Sequence, residues 1–543
     1  MKKTALLLFF FLYSVNVSNC QTKEVASKYV AICKIWGILK YYAPNSELKA
    51  VEKADWHQFF LDDYAFIKKN IENEDSLQQL VKTWIRKSGK YNQKKLPSSS
   101  GCDKDNISVQ WIDTLSFLTK IEKEYLRNIR YRKGKKANIY YEFSEMNSAK
   151  LRNFISNPDW SKESYQMLGL FEYWNDVEYF FAYKDLMSQN WDFVLSSNIL
   201  NFIRYNSKTD FYKGIAHLSH TLEDGHAYVE SLEDTSVRAD SFCFPFQYRW
   251  IDNHFLIYYV NGEFSQNLKI GDEILSIDNQ SLKALSDSML QLISYANIET
   301  GYFLAKSHIL YRRANKSYQL RLLRNKDTLT IDIMPIRLSQ SMLPPRKKYD
   351  ILENNIGYID LGELNNQEIK VAMKNFEDTK AIIIDLRNYP LEHFQDFLGY
   401  FTTQRRLKYA VCKINNKDVL GCFIPLSYTM FHIKHQPRYK GKVVALVNER
   451  TQSKAEFYMM FLKAYGNATI IGRRTSSSNG SAISFNIFDT FEAHFTGSPI
   501  ANIDGSQYQK IGVIPDIIIP NEVHSFSKTE DFFIKTAVDF IEK

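Results

Sequence analysis

The 543-residue chain contains none of the short signatures of the commonest catalytic chemistries. HExxH is absent, which removes the helical zinc-peptidase site. GxxxxGK followed by Ser or Thr, GxGxxG and GxSxG are absent too, which removes the phosphate-binding loop, the dinucleotide fingerprint and the nucleophile elbow of the α/β-hydrolases. After residue 20 no apolar run is long enough for a transmembrane helix, so the mature chain is expected to be soluble or merely tethered. Excess charge is small: 69 basic against 61 acidic residues give +8, with no dense basic run interleaved with aromatics. That balance favours anionic surfaces only weakly and makes no case for a nucleic-acid partner. Cysteine is scarce, six in all. Cys412 and Cys422 flank the polar turn INNKD and can pair across a hairpin in an oxidising compartment, but buried free thiols are the preferred reading. Tryptophan is missing after Trp250, while the longest strand-like apolar runs follow Ile356, so the two halves are built differently. Repeats and low-complexity tracts are lacking.

What is present suits a large folded protein. Hydrophobic residues at 45% and charged residues at 24% exclude wholesale disorder, and the length calls for three or four domains. Lys2 and Lys3 lead an apolar run from Ala5 to Tyr13, the pattern of an export signal over residues 1–20. Either it is cleaved after Cys20, or VSNC at 17–20 acts as an imperfect lipobox and Cys20 carries lipid. From Lys23 to about Thr221 the pattern is helical, with Val25, Tyr29, Ile32, Ile35, Leu39 and Tyr42 near one face and further helices over 75–88 and 161–187. The stretch 94–106 reads as a linker. Short alternating runs between Ser241 and Pro335 read as a small β-rich module, with turns at Gly271-Asp272 and Asp278-Asn279 and a helix over 283–296. From Ile356 strands and helices alternate: IGYIDL, helix 366–377, KAIIIDL, helix 391–403, KVVALV, helix 454–465. The strands at 381–386 and 442–447 are nearly continuous apolar runs, as strands covered on both faces must be.

One turn in this pattern can carry chemistry. The buried strand ending at Val447 leads through a polar turn to an amphipathic helix beginning near Ser453. First-turn N–H groups lack intrahelical acceptors and carry partial positive charge, so an oxyanion is stabilised there. Spacing alone favours a plainer role, because Ser453 with Glu456 matches a capping box. The pairs His217/His220 and His432/His435 have a spacing that can hold a metal, but neither has a carboxylate or cysteine set nearby, and solvated or capping histidines are the preferred reading.

The segment 441–475, with its strand, SxxE helix start, Gly472 and Thr475, resembles the nucleophile region of the tail-specific (C-terminal processing) proteases, a family that includes tricorn-type peptidases. KAIIIDLRNYP at 380–390 resembles the family's strand ending in Asp-Leu-Arg, and IGVIPDI at 511–517 its closing Gly-x-x-Pro-Asp segment. LEDGHAYV at 222–229 resembles its Asp-Gly-His element, residues 268–282 its PDZ-type module, and KIWGILKYYAP at 34–44 the start of exported, Bacteroidetes-type members. The resemblance implies a multidomain α/β protein: a helical N-terminal region over 21–235, a PDZ-like β module over 236–340, and a ClpP/crotonase-like α/β catalytic domain over 341–543.

It also implies roles. Ser453 aligns with the nucleophile. The lysine of the family's Ser-Lys dyad is replaced by Ser478, so the tricorn-like alternative applies, in which a histidine acts as base and His226 occupies its motif. Oxyanion support is expected from the backbone of Lys454 with that of Asn388 or Tyr389, although Pro390 stands where the family has a glycine-rich turn and has no N–H to give. A tricorn-type glutamate is replaced by Gln509 or Lys510. The implied activity is serine-type peptide-bond hydrolysis in exported or envelope proteins, periplasmic or outer-membrane-associated, without metal or organic cofactor. The expected partner is a peptide or unfolded protein, and the only expected membrane link is a lipidated Cys20. Two alternatives remain open: a catalytically inactive peptide-binding protein of the same fold, and transfer or hydrolysis of another acyl group.

Overall fold

The computed structural model describes residues 2–47, 55–91, 107–131, 138–144, 148–232, 242–262, 267–313, 316–338, 347–391, 395–404, 406–417, 419–426, 431–432, 436–522 and 531–543. The expected linker 94–106, and His435 of the second histidine pair, lie outside them.

Side-chain caps start the helices of the amino-terminal half. Asp55 accepts the N–H groups of His57 and Gln58 ahead of Trp56–Asn70, Asn73 caps Glu74–Ser88, and Thr119 with Glu122 closes a reciprocal box ahead of Lys120–Asn128. Each cap satisfies donors that a helix start leaves open. The first helix, Lys2–Tyr42, differs from the amphipathic expectation. From Ala31 to Ala43 it is buried on every side, Lys34 and Lys40 included. Lys40 is paid for by Glu172 at 2.6 Å, a carboxylate that also meets His57 at 3.0 Å. Among the described residues no helix is long and apolar enough to cross a membrane.

The small β module is an antiparallel sheet of Phe246–Ile251, His254–Val260, Glu273–Ile277, Tyr318–Arg324 and Asp327–Ile333. Its tight turns are made by Asp252-Asn253 and Asp278-Asn279, all at positive φ, which short polar side chains tolerate best. The helix expected over 283–296 is shorter, Leu282–Leu290. A second helix, Ile298–Leu310, capped by Asn297, follows and packs into the core of the module. The second sheet lies beyond it in the chain.

That sheet has six strands in the order Tyr349–Leu352, Ile356–Asp360, Ala381–Asp385, Lys442–Val447, Thr469–Gly472, Ile517–Ile518. The first pair is antiparallel and the rest are parallel. Alternate residues feed two cores. Ile382, Ile384, Val443 and Ala445 pack under the helices Asn366–Asn375 and Lys454–Tyr465, while Ala381, Ile383, Val444 and Leu446 pack under the terminal helix Phe532–Glu542. Burial on both faces explains the unbroken apolar runs. The helix expected over 391–403 is reduced to Gln395–Leu398 among the described residues.

A long hairpin, Gly480–Ile487 with Phe491–Ala501, leaves this sheet and enters the helical half. Its inward residues Ile483, Phe485, Phe491 and Phe495 share one core with Trp36 and Trp174. Its outer edge pairs with Tyr228–Ser231, which brings the Asp-Gly-His element to the carboxyl ends of the parallel strands. Cys412 is a free thiol and Cys422 is disulfide-bonded, so the two do not pair with each other, and the free-thiol reading fails for Cys422. Cys33 and Cys243 are buried and not in disulfides, as expected.

Candidate active site

Ser453 stands where strand Lys442–Val447 has ended and helix Lys454–Tyr465 begins. Its backbone has φ 54° and ψ −113°, outside the extended conformation of an ordinary N-cap. For a residue with a Cβ such a conformation costs about 1–3 kcal/mol, and it persists only where surrounding contacts impose it. Here they do. The Ser453 N–H is taken by Ser478 O at 3.0 Å and by the Glu456 carboxylate at 3.3 Å. Thr451 fixes the turn from below, its hydroxyl donating to Leu386 O at 2.9 Å and accepting the Asn448 N–H at 3.0 Å. Behind the turn Gly472 has φ +149°, and a Cβ there would stand 1.9 Å from Val447 O, so no other residue fits.

Glu456 does more than cap. Fully buried, it also accepts the N–H groups of Ser477 and Ser478, at 2.9 and 3.1 Å, and the Thr475 hydroxyl. Burial pushes its carboxyl up to about 7 against those hydrogen bonds. It thereby ties the serine helix to the loop 475–478.

That loop joins Ser453 to His226. Ser478 is buried; its hydroxyl accepts the Gly225 N–H at 2.6 Å and donates to Asp224 at 3.0 Å. Gly225 lies so close that a Cβ would come within 2.9 Å of the Ser478 Cβ. From the other side Gln452, next to Ser453, donates through Nε2 to Gly225 O at 2.8 Å. Ser478 therefore bridges the serine turn and the Asp-Gly-His element.

The His226 imidazole is held on one side only. Nδ1 lies 3.0 Å from Thr496 Oγ1 and 3.5 Å from Asp224 Oδ1, whereas Nε2 is buried and has no hydrogen-bond partner. Asp224 is fully buried. It accepts the N–H of His226 at 3.2 Å, the N–H of Thr496 at 2.8 Å and the amide of Gln509 at 3.2 Å. Burial alone would raise its carboxyl, but the bonds and charge of His226, with those of Thr496, hold it down at about 2. An ionised carboxylate beside Nδ1 favours the tautomer with its proton there, which leaves the lone pair on Nε2.

The remaining expected site residues take supporting places. Gln509 donates to Asp224 and to Ser478 Oγ, at 3.2 and 3.1 Å, so its amide orients the carboxylate and does not face the imidazole. Lys510 instead meets Glu223 and Leu186 O. Lys454 extends its side chain to the 388–390 turn, with Nζ 3.3 Å from Pro390 O and 5.2 Å from the Tyr389 ring centre. Asn388 uses its amide on Asp360 at 2.7 Å, and Tyr389 is half exposed. Arg387 is neutralised by Asp385 and Asp531 and is structural. His217 and His220 bond to Gln291 O and Ile293 O, the plainer role expected of them.

Sequence reasoning missed Asp224, Thr496 and Asn297. Asp224 was visible within the Asp-Gly-His element itself. Thr496 was reachable through the alternation of SAISFNI, which marks the hairpin. Asn297, whose amide donates to Thr475 O at 2.9 Å and Ser477 Oγ at 3.2 Å, had no signal beyond its N-cap position.

A serine on a strained strand-to-helix turn is thus linked through Ser478 and Gly225 to a histidine whose Nδ1 meets Thr496 and whose Nε2 is unpartnered. Residues 355–519 match the model of peptidase family S41. Over 70% of this chain and 96% of that one, the fold is similar to mature CPAF, at 14% identity and a TM-score of 0.54. Looser similarity extends to the photosystem II D1 C-terminal processing protease (16% identity, 66% of this chain, 94% of that chain, TM-score 0.42). A putative S41 protease from Bacteroides fragilis is comparable (14% identity, 68% of this chain, 97% of that chain, TM-score 0.40).

Proposed function

We propose that the protein is a serine peptidase that cleaves peptide bonds of exported or envelope proteins through an acyl-enzyme on Ser453, with His226 as base and Asp224 as its positioning residue. The observation that carries this reading is the His226 ring, fixed at Nδ1 by Thr496 and Asp224 and unpartnered at Nε2. Nε2 takes the Ser453 hydroxyl proton as Oγ bonds to the scissile carbonyl carbon, and the carbonyl π electrons move to oxygen. The Lys454 N–H, in the first helical turn, and the backbone of the 388–389 turn stabilise that oxyanion. Collapse breaks the C–N bond, the leaving amine takes the proton from Nε2, and water then releases the acyl group by the same relay in reverse.

The inactive peptide-binding alternative drew on the missing lysine and the altered turn. The anchored imidazole supplies a base without that lysine, which favours the enzyme. In the same reading the antiparallel module, PDZ-like, adds an extended substrate segment to its sheet edge. Hydrolysis of an unfolded polypeptide by the full chain, abolished in Ser453→Ala with folding intact, is the expected result. Full activity in Ser453→Ala, or turnover of thioesters but not peptides, would end the assignment.

A further inference from the structure

Between the β module and the protease domain lies a cavity of about 50 Å³. A water needs roughly 10–15 Å³ measured this way, so the space holds several waters or one small polyatomic ion. Three segments build it: the strand carrying Arg249 and Trp250, the helix carrying Lys306, and the turn 448–450 with Arg473 behind it.

Its donors are unspent. Arg473 is only 9% exposed, and its Nε is buried with no partner. Trp250, whose ring stacks on Tyr302 at 4.5 Å, has its indole N–H buried and unpartnered in the same wall. Such groups normally find an acceptor, and each orphan costs about 1–3 kcal/mol. Lys306 lies against aromatic rings, with Nζ 5.1 Å from the Phe303 ring centre and 5.7 Å from that of Tyr258. Burial, with Arg450 and Arg249 adding to it, brings its ammonium down to about 7, although Glu449 opposes the shift. Glu299 and Glu449 also line the cavity, and the cationic side chains of Arg249, Lys306, Arg450 and Arg473 outnumber them. Arg387, in the same wall, is already neutralised.

We propose that this cavity binds one small free oxyanion of the phosphate or sulfate type, held by Arg473, Lys306, Arg249 and the Trp250 indole N–H. An oxyanion supplies an acceptor to each unspent donor at once and restores the charge balance. It also bridges two bodies. The helix Ile298–Leu310 already touches the serine turn, because the Thr300 hydroxyl donates to Glu449 O at 3.0 Å. The ion therefore clamps the β module onto the turn that leads into Ser453.

The test uses the full chain and inorganic phosphate or sulfate, with chloride at matched ionic strength as control. Isothermal titration is expected to show one saturable site for phosphate and sulfate and none for chloride. Arg473→Gln and Lys306→Gln are each expected to weaken it about 10- to 100-fold, as loss of one charge-assisted hydrogen bond implies. Lys306 is half-buried at the cavity wall, so its variant keeps the test valid if Arg473→Gln fails to fold. Hydrogen exchange of the 448–453 turn should slow when phosphate binds. Absence of saturable binding, or binding unchanged by Lys306→Gln, overturns the proposal. Neither readout depends on peptidase activity.

Discussion

Glu456→Gln probes the hub that shapes the serine turn. A carboxyl whose pKa is raised by folding, here from 4.5 to about 7, keeps its proton in the folded state over the interval between those values. Its contribution to stability is complete below pH 4.5 and is lost as pH rises through about 7. At about 1.4 kcal/mol per pH unit, that interval amounts to about 3 kcal/mol. The glutamine has no such dependence. It puts an NH₂, which accepts nothing, in place of one carboxyl oxygen, so two of the donors now bound by Glu456 lose their acceptor. At about 1–3 kcal/mol for each, the variant is the less stable protein at pH 5. At pH 8 its deficit shrinks by about 3 kcal/mol, because the wild type has by then lost its pH-dependent part. Hydrogen exchange of residues 453–465, corrected for intrinsic rates at the two pH values, reports the local opening free energy. Parallel pH profiles for wild type and variant would refute the reasoning, since they would show that Glu456 does not titrate in this interval.

Asp224→Asn leaves the size of the side chain unchanged but removes the carboxylate beside Nδ1. The expected result is a fall in kcat of about 10³- to 10⁴-fold with little change in KM, as for loss of the orienting acid in a serine triad; an equal rise in KM would instead indicate a damaged binding surface. Wild-type stability should also carry a contribution from Asp224 that is complete above pH 4 and lost as pH falls toward 2, because folding depresses this carboxyl. Denaturation of wild type and Asp224→Asn at pH 5 and pH 2.5 should show the difference between them shrinking at the lower pH. Gly472→Ala places a methyl against Val447 O at a φ that alanine rarely adopts, so soluble folded protein should be lost. Normal yield and melting temperature would contradict that packing.

The parts of the fold legible in the sequence are those governed by one dominant force. Strands 381–385 and 442–447 bury both faces, and only unbroken apolar runs can do so; helix 454–465 follows from its amphipathic spacing and a polar turn. Ser453 was identifiable as a turn residue for the same reason. Parts that depend on contacts between distant segments were hidden. The buried first helix looks amphipathic by periodicity, because its second face meets Glu172 and Asp192 and not solvent. Asp224 was given no role of its own, since nothing local shows that hairpin 480–501 folds back to present Thr496 beside it. The role of Glu456 as a four-way acceptor was likewise concealed behind a correct reading of its capping position.

The central claim is that Ser453 is an activated nucleophile, with its base supplied by His226. Intact-protein mass spectrometry after brief exposure to a fluorophosphonate tests it most directly. One adduct is expected, mapping to the peptide that contains Ser453, absent in Ser453→Ala and formed far more slowly in His226→Ala. An unlabelled wild-type protein, or an adduct that persists in Ser453→Ala, would contradict the account.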